Sequence, residues 1–259
     1  MIAKSFSMSK QGASHIKKGK ECQDSSCCYP DIPIASDDKI AIAIICDGHG
    51  GNDYMRSAIG SQRACEVSLK NIKSFIENAS YEQILEDIDK RQMLKNLEAS
   101  IICDWNGLIR SHYEANPFTE EELSGISERA RRKYTQEDRI ESAYGTTVVA
   151  VAMTPQYGFG IQIGDGKCVV VDREGRFSQP IPWNDKCFLN ATTSICDSDA
   201  YDNFREIYFE SLPAAAFVGS DGIDDCFKDL AHRREYCAAP CRPNNRSGQN
   251  GAGRPPSHR

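Results

Sequence analysis

Acidic residues recur at places in this chain where a strand ends or a turn begins. Asp24, Asp47, Asp165 and Asp221 each occupy such a place, and the last three sit beside glycine. Asp225 follows Asp221 by one helical turn. Carboxylates gathered at one rim repel one another and resist ionisation unless cations neutralise them. Hard oxygen ligands of this kind select Mg²⁺ or Mn²⁺. Two such ions, ~3.5–4 Å apart, can generate hydroxide at neutral pH and clamp a phosphoryl group in line. His49, two residues after Asp47, is an imidazole placed to protonate a leaving oxygen. Gly48 between them lets a backbone carbonyl join the ligands. Asp-Gly pairs are common in turns, so each motif alone also fits a tight turn with a capping acid. The combination is what points to chemistry.

The elements that must position these residues are centred on Ile40 to Asn52, Ile-Ala-Ile-Ala-Ile-Ile-Cys-Asp-Gly-His-Gly-Gly-Asn. Its short, unbroken apolar run suits a strand buried on both faces, delivering Asp47, Gly48 and His49 to its C-terminal end. The stretch before it, Gly19 to Ser25, reads as a loop leading into a strand through Cys27, Cys28 and Tyr29. After Gly51 the apolar spacing becomes helical, first through Ala58, Cys65, Leu69, Ile72 and Ile76, then from Ile84 to Leu108. These two stripes predict antiparallel helices on one face of a sheet. Thr119 with Glu122 is a capping box opening a third helix that runs to about Glu141. That helix is a solvated surface excursion, or else a flap presenting Arg129, Arg131, Arg132 and Lys133 to an anionic substrate. From Gly145 the pattern is β, with strands at Thr146–Met153, Tyr157–Ile163 and Lys167–Asp172 forming an antiparallel meander. Two more strands, Arg205–Glu210 and Ala214–Val218, precede Gly219-Ser220-Asp221-Gly222.

Composition bounds the rest. The 259 residues carry a net charge of −6, which argues against nucleic acid as a partner. No apolar run approaches the ~20 residues of a membrane helix, and the N-terminus lacks the apolar stretch of a signal peptide. The 12 cysteines form no CxxC knuckle and read as reduced thiols of a cytoplasmic protein, with Cys46, Cys65 and Cys168 in the core. Beyond Asp229 the text turns to Arg, Pro, Asn and Gly with neither period, so residues 231–259 read as an irregular tail after a domain spanning 1–230.

In this order the motifs Cys22-Gln23-Asp24-Ser25, Asp47-Gly48-His49-Gly50-Gly51, Gly145-Thr146-Thr147, Gly164-Asp165-Gly166 and Gly219-Ser220-Asp221-Gly222 resemble the metal-dependent, type 2C serine/threonine protein phosphatases, in their bacterial branch. The resemblance covers about Phe6 to Phe227. It implies an α+β fold, a four-layer α/β/β/α sandwich of two antiparallel sheets flanked by helices, with metals in a cleft at one end. It also implies hydrolysis of phosphoserine or phosphothreonine in a protein substrate by metal-activated water, with no phosphoenzyme. Mg²⁺ or Mn²⁺ would bind as two ions, with a weaker third position. By this resemblance Asp47 bridges two metals, Gly48 offers its carbonyl and Asp221 binds the first ion. Asp24 stands on the second-metal side, Asp165 and Asp225 match the third position, and His49 is the general acid.

Three departures stand out. Gln23 occupies the place where many members carry Glu, supplies no negative charge, and would act through water. The phosphate-gripping arginine of many members is absent, leaving Lys18 or Lys20 as substitutes without the bidentate fork. No aspartate follows Asp229, whereas the family places its last metal ligand near the C-terminus. The chain is then either naturally shortened or has lost its reading frame near Phe227, and the abrupt shift in composition favours the latter. The leading expectation is a monomeric Mg²⁺/Mn²⁺-dependent protein phosphatase with neither nucleic-acid nor membrane partner. The alternative is an impaired, phosphatase-like binding module, and a third reading is a hydrolase of small phosphate esters.

Overall fold

The computed structural model describes residues 4–17, 19, 21–31, 39–78, 87–187, 191–209 and 211–222. Lys18, Lys20, Asp225 and the boundary expected near residue 230 lie outside the described residues. Helices are α1 (Ala13–Lys17), α2 (Ser57–Asn78), α3 (Asp87–Ala115), α4 (Glu120–Ser124), α5 (Glu128–Thr135) and α6 (Ala200–Asn203). Strands are β1 (Ser25–Tyr29), β2 (Ala41–Cys46), β3 (Val148–Met153), β4 (Gly158–Ile163), β5 (Lys167–Val171), β6 (Phe177–Ser178), β7 (Arg205–Tyr208) and β8 (Ala215–Gly219). They form a five-stranded sheet, β1-β2-β3-β4-β7, and a three-stranded sheet, β6-β5-β8, antiparallel throughout.

Strand alternation divides the core. Ile42, Ile44 and Cys46 of β2, Val148, Ala150 and Ala152 of β3, and Phe159, Ile161 and Ile163 of β4 face the helices. There they meet Ala64, Ile72, Leu94, Ile101 and Trp105, all fully buried. The opposite parity, Ile45 and Val149, packs between the sheets against Cys168, Val170 and Val218. A strand must be apolar on both faces to serve both cores, which is why β2 and β3 read as continuous hydrophobic runs. Three of the four expected layers are thereby described. Cys46, Cys65 and Cys168 are buried free thiols, as their apolar settings imply.

Two local expectations are corrected. The third helix is two short ones and a 3₁₀ turn (Ile140–Tyr144): the Thr119–Glu122 capping box forms, but α4 stops at Gly125 and Ser127 caps a new helix. The strands after Gly145 are no simple meander, because β4 and β5 belong to different sheets. The buried Gln162 side chain explains how the crossing is stabilised. Its Nε2 donates to the carbonyls of Gly164 (3.2 Å) and Gly166 (2.6 Å), which flank Asp165 where a hairpin ladder would otherwise satisfy them.

The 116–139 excursion is anchored. The buried Arg56 guanidinium grips Glu122 through two nitrogens (2.7 and 2.9 Å) and donates to the Asn116 and Pro117 carbonyls. Ser127 donates its N–H and hydroxyl to the two carboxylate oxygens of Asp53, and the Tyr134 hydroxyl donates to the Asp53 carbonyl. Arg131 and Arg132 pair with Glu120 and Glu137.

The α2 backbone passes so close to this region that a Cβ on Gly60 would overlap the Tyr144 carbonyl oxygen and lie 2.7 Å from its carbon. The Gly60 carbonyl also accepts from Trp105 Nε1. Gly60→Ala is expected to destabilise the fold by roughly 3 kcal/mol or more, read as the shift of a urea unfolding midpoint.

A second test concerns α3 and β7. Lys95 links the fully buried Glu98 (2.8 Å) to Glu206 (3.1 Å), leaving one Glu98 oxygen without a partner among the described residues. Burial, outweighing Lys95, pushes the Glu98 carboxyl up to about 7 from 4.5. The folded state therefore holds this proton more tightly than the unfolded chain, and stability falls as pH rises between those values. Glu98→Gln is expected to flatten that dependence and raise stability at pH 8, by on the order of 2 kcal/mol, in unfolding curves measured from pH 5 to 8.

Candidate active site

Strand register builds the site. Ser25 pairs with Cys46 at the end of the β1–β2 ladder, so the next residues outward, Asp24 and Asp47, emerge opposite each other. In the second sheet Lys167 pairs with Gly219, and continuing that register outward sets Asp165 against Asp221. Asp47 lies within hydrogen-bonding reach of both Asp24 and Asp221, so the first carboxylate cluster draws on both sheets.

The electrostatics follow. Burial, then the charges of Asp24 and Asp221, push the Asp47 carboxyl far above its ordinary range. Asp24 is also raised, chiefly by burial, with Asp221 adding and His15 opposing. Such a group sheds its proton readily only if a cation takes the proton's place.

The backbone around Asp47 is held tightly. Its carbonyl accepts from Thr147 N–H (2.9 Å) and the Thr146 hydroxyl (2.8 Å), and its N–H donates to Thr147 Oγ1 (3.1 Å). Gly48 bridges to Thr146. A Cβ at Gly48 would come 2.5 Å from the Gln23 carbonyl and 2.8 Å from that of Ser57, so only glycine fits. Its N–H donates to the Gln23 carbonyl, while among the described residues no donor reaches its own carbonyl. The His49 ring packs edge-on against Tyr54, centroids 4.8 Å apart, and burial pushes the imidazole down to about 4.

The donor set of Asp24, Asp47, Asp221 and the Gly48 carbonyl consists wholly of hard oxygens, and the raised Asp47 carboxyl marks a deficit of positive charge. Among the described residues no three His, Cys, Asp or Glu side chains close into a finished ligand shell. The residues fit Mg²⁺ or Mn²⁺ by chemistry and charge.

Asp24, Asp47, Gly48, His49 and Asp221 are thus brought to one rim. Asp165 lies in the turn between β4 and β5, where Arg205 feels its charge. Arg205 itself is committed to the carbonyls of Gly164 and Pro182. Ser57 and Ser61, absent from the sequence-based site, hold Gln23 behind it. Their one sequence signal was the run of small residues at the start of α2.

If Asp47 is uncharged in the metal-free fold and unfolds to an ordinary carboxylate, its contribution to stability falls as pH rises above the unfolded value of 3.8. Metal-free Asp47→Asn is therefore expected to melt at or above the parent temperature at pH 8. Adding Mn²⁺ at ~100 times its Kd should stabilise the parent by about 2.7 kcal/mol and leave the variant unmoved. Thermal melts with and without Mn²⁺ check both signs.

No curated protein matches the chain. Among solved structures it is similar to the serine/threonine phosphatase Stp1 from Staphylococcus aureus, at 16% identity and a TM-score of 0.44, covering 81% of this chain and 74% of that one. It is also similar to the Mycobacterium tuberculosis serine/threonine phosphatase PstP/Ppp, at 15% identity and a TM-score of 0.44, covering 84% and 85%. A third is the catalytic domain of PstP in complex with two manganese ions, at 15% identity and a TM-score of 0.42, covering 80% and 81%. The family model described as protein phosphatase 2C matches residues 11–251, most of the chain, and with the motif order above this makes the protein a member of the protein phosphatase 2C family.

Proposed function

We propose that this protein is a Mg²⁺- or Mn²⁺-dependent phosphatase of phosphoserine and phosphothreonine in proteins. The observation that carries the reading is Asp47, raised by burial and by two neighbouring carboxylates at the end of a core strand, two residues before His49. Asp24, Asp47, Asp221 and the Gly48 carbonyl would hold two ions, with Asp165 and Asp225 toward a third. When bound, these cations supply the positive charge that keeps the carboxylates ionised beside a phosphate, and they acidify water.

The chain's own residues do the rest. The threonine pair holds the Asp47 backbone so that its carboxyl stays aimed at the rim. His49 is neutral at pH 7 in the substrate-free protein, because burial disfavours the imidazolium. An arriving phosphate dianion reverses that preference, so the ring gains its proton as substrate binds and can pass it to the leaving oxygen. Lys18 and Lys20 are retained as phosphate contacts. Residues 1–230 form the phosphatase domain, 231–259 a tail, and the protein works as a cytoplasmic monomer. Among the described residues no helix is long and apolar enough to cross a membrane.

Hydrolysis of an aryl phosphate and of a phosphothreonine peptide should require Mn²⁺ and fall about 10²–10³-fold in Asp47→Asn, the scale of losing an electrostatic contact to the transition state. His49→Ala should cost about 10²–10⁴ in kcat. A second reading is a phosphatase-like binding module with an impaired site. Folded protein that binds a phosphopeptide without turning it over would establish that one.

A further inference from the structure

Gln23 stands where an acid would serve the metal cluster directly, and its contacts show an amide put to another use. Its Nε2 donates to the His49 carbonyl (3.1 Å) and to the Ser57 hydroxyl (2.7 Å). A carbonyl can only accept, so the contact with His49 fixes which end of the amide faces the loop. The Gln23 backbone carbonyl in turn accepts from the Gly48 N–H (3.2 Å) and the Ser61 hydroxyl (2.5 Å). Ser57 and Ser61 are fully buried on the first turns of α2. One residue thus joins the lead-in to β1, the Asp47–His49 loop and the N-terminus of α2.

We propose that Gln23 is a positioning residue whose amide N–H groups hold the Asp47–His49 loop against helix α2, a donor role that a carboxylate cannot fill. A glutamate at this position would set an anion against the His49 carbonyl and lose that bond, keeping at most the Ser57 contact with the hydroxyl now donating. The kinetic part of this inference rests on the phosphatase reading, whereas the structural part does not.

The test compares the full-length protein with Gln23→Glu, Gln23→Met and Ser57→Ala. Amide hydrogen exchange over residues 47–51, measured without metal, should speed up about tenfold in both Gln23 variants and by less in Ser57→Ala, the order expected when one or two hydrogen bonds are lost. With Mn²⁺ and an aryl phosphate, kcat should fall about tenfold or more in Gln23→Glu and Gln23→Met alike, with KM and the calorimetric Mn²⁺ affinity within about threefold of the parent. Circular dichroism checks that each variant is folded, and Ser57→Ala decides the matter alone if the Gln23 variants are not. Tighter Mn²⁺ binding with equal or higher kcat in Gln23→Glu would overturn the proposal, since the side chain would then serve the metal side. Unchanged exchange in the folded variants would overturn it as well. A parent without Mn²⁺-dependent turnover would sink the phosphatase reading, while the exchange data would still decide the clamp.

Discussion

Carboxyl groups whose charges would repel are held together at the end of a buried sheet, and the rest of the molecule depends on that constraint. Register leaves Asp24 and Asp47 no choice but to face each other, and β8 brings Asp221 to the same place. Repulsion of this kind favours opening the rim, so everything around it must hold the backbone in place: the two threonines on Asp47, the close approach at Gly48 and the amide of Gln23. A fold that crowds carboxyls in this way prefers cations, because a bound one takes the place of the proton that Asp47 otherwise keeps.

The scaffold that withstands this strain is centred on the first turns of α2. Ser57, Gly60, Ser61 and Ala64 are all small because other chain segments press against them, among them the Gln23 carbonyl and the Tyr144 backbone. Arg56, just ahead, uses its whole guanidinium to tie down the 116–125 segment, with the Phe118 ring 4.7 Å from its centre. The same helix start therefore supports the loop that carries His49 and fixes the excursion beside it. Two of the excursion's basic side chains, Arg131 and Arg132, form local pairs.

Much of this was open to inspection in the linear text. The apolar run of β2 had to be buried on both faces, the helical spacing from Ala58 to Ile76 had to form α2, and the Thr119–Glu122 box had to begin a helix. Each is local physics: side-chain period, or a hydroxyl and a carboxylate three residues apart. The acids at strand ends and the glycines beside them were visible for the same reason, and their order sufficed to suggest the family.

Tertiary structure alone decided how those acids meet. Whether an aspartate at a strand end faces another depends on pairing register, a long-range property that no window of residues contains. The same limit hid the sheet switch between β4 and β5, since consecutive strands read alike whether they pair or part, and hid the break at Gly125, where tertiary anchoring by Arg56 and Asp53 outweighs helical continuity. It also hid Gln23. In sequence that residue is only an acid's neutral counterpart. Its value as a donor depends on the His49 carbonyl and the Ser57 hydroxyl, 26 and 34 residues away, and folding alone brings them within reach.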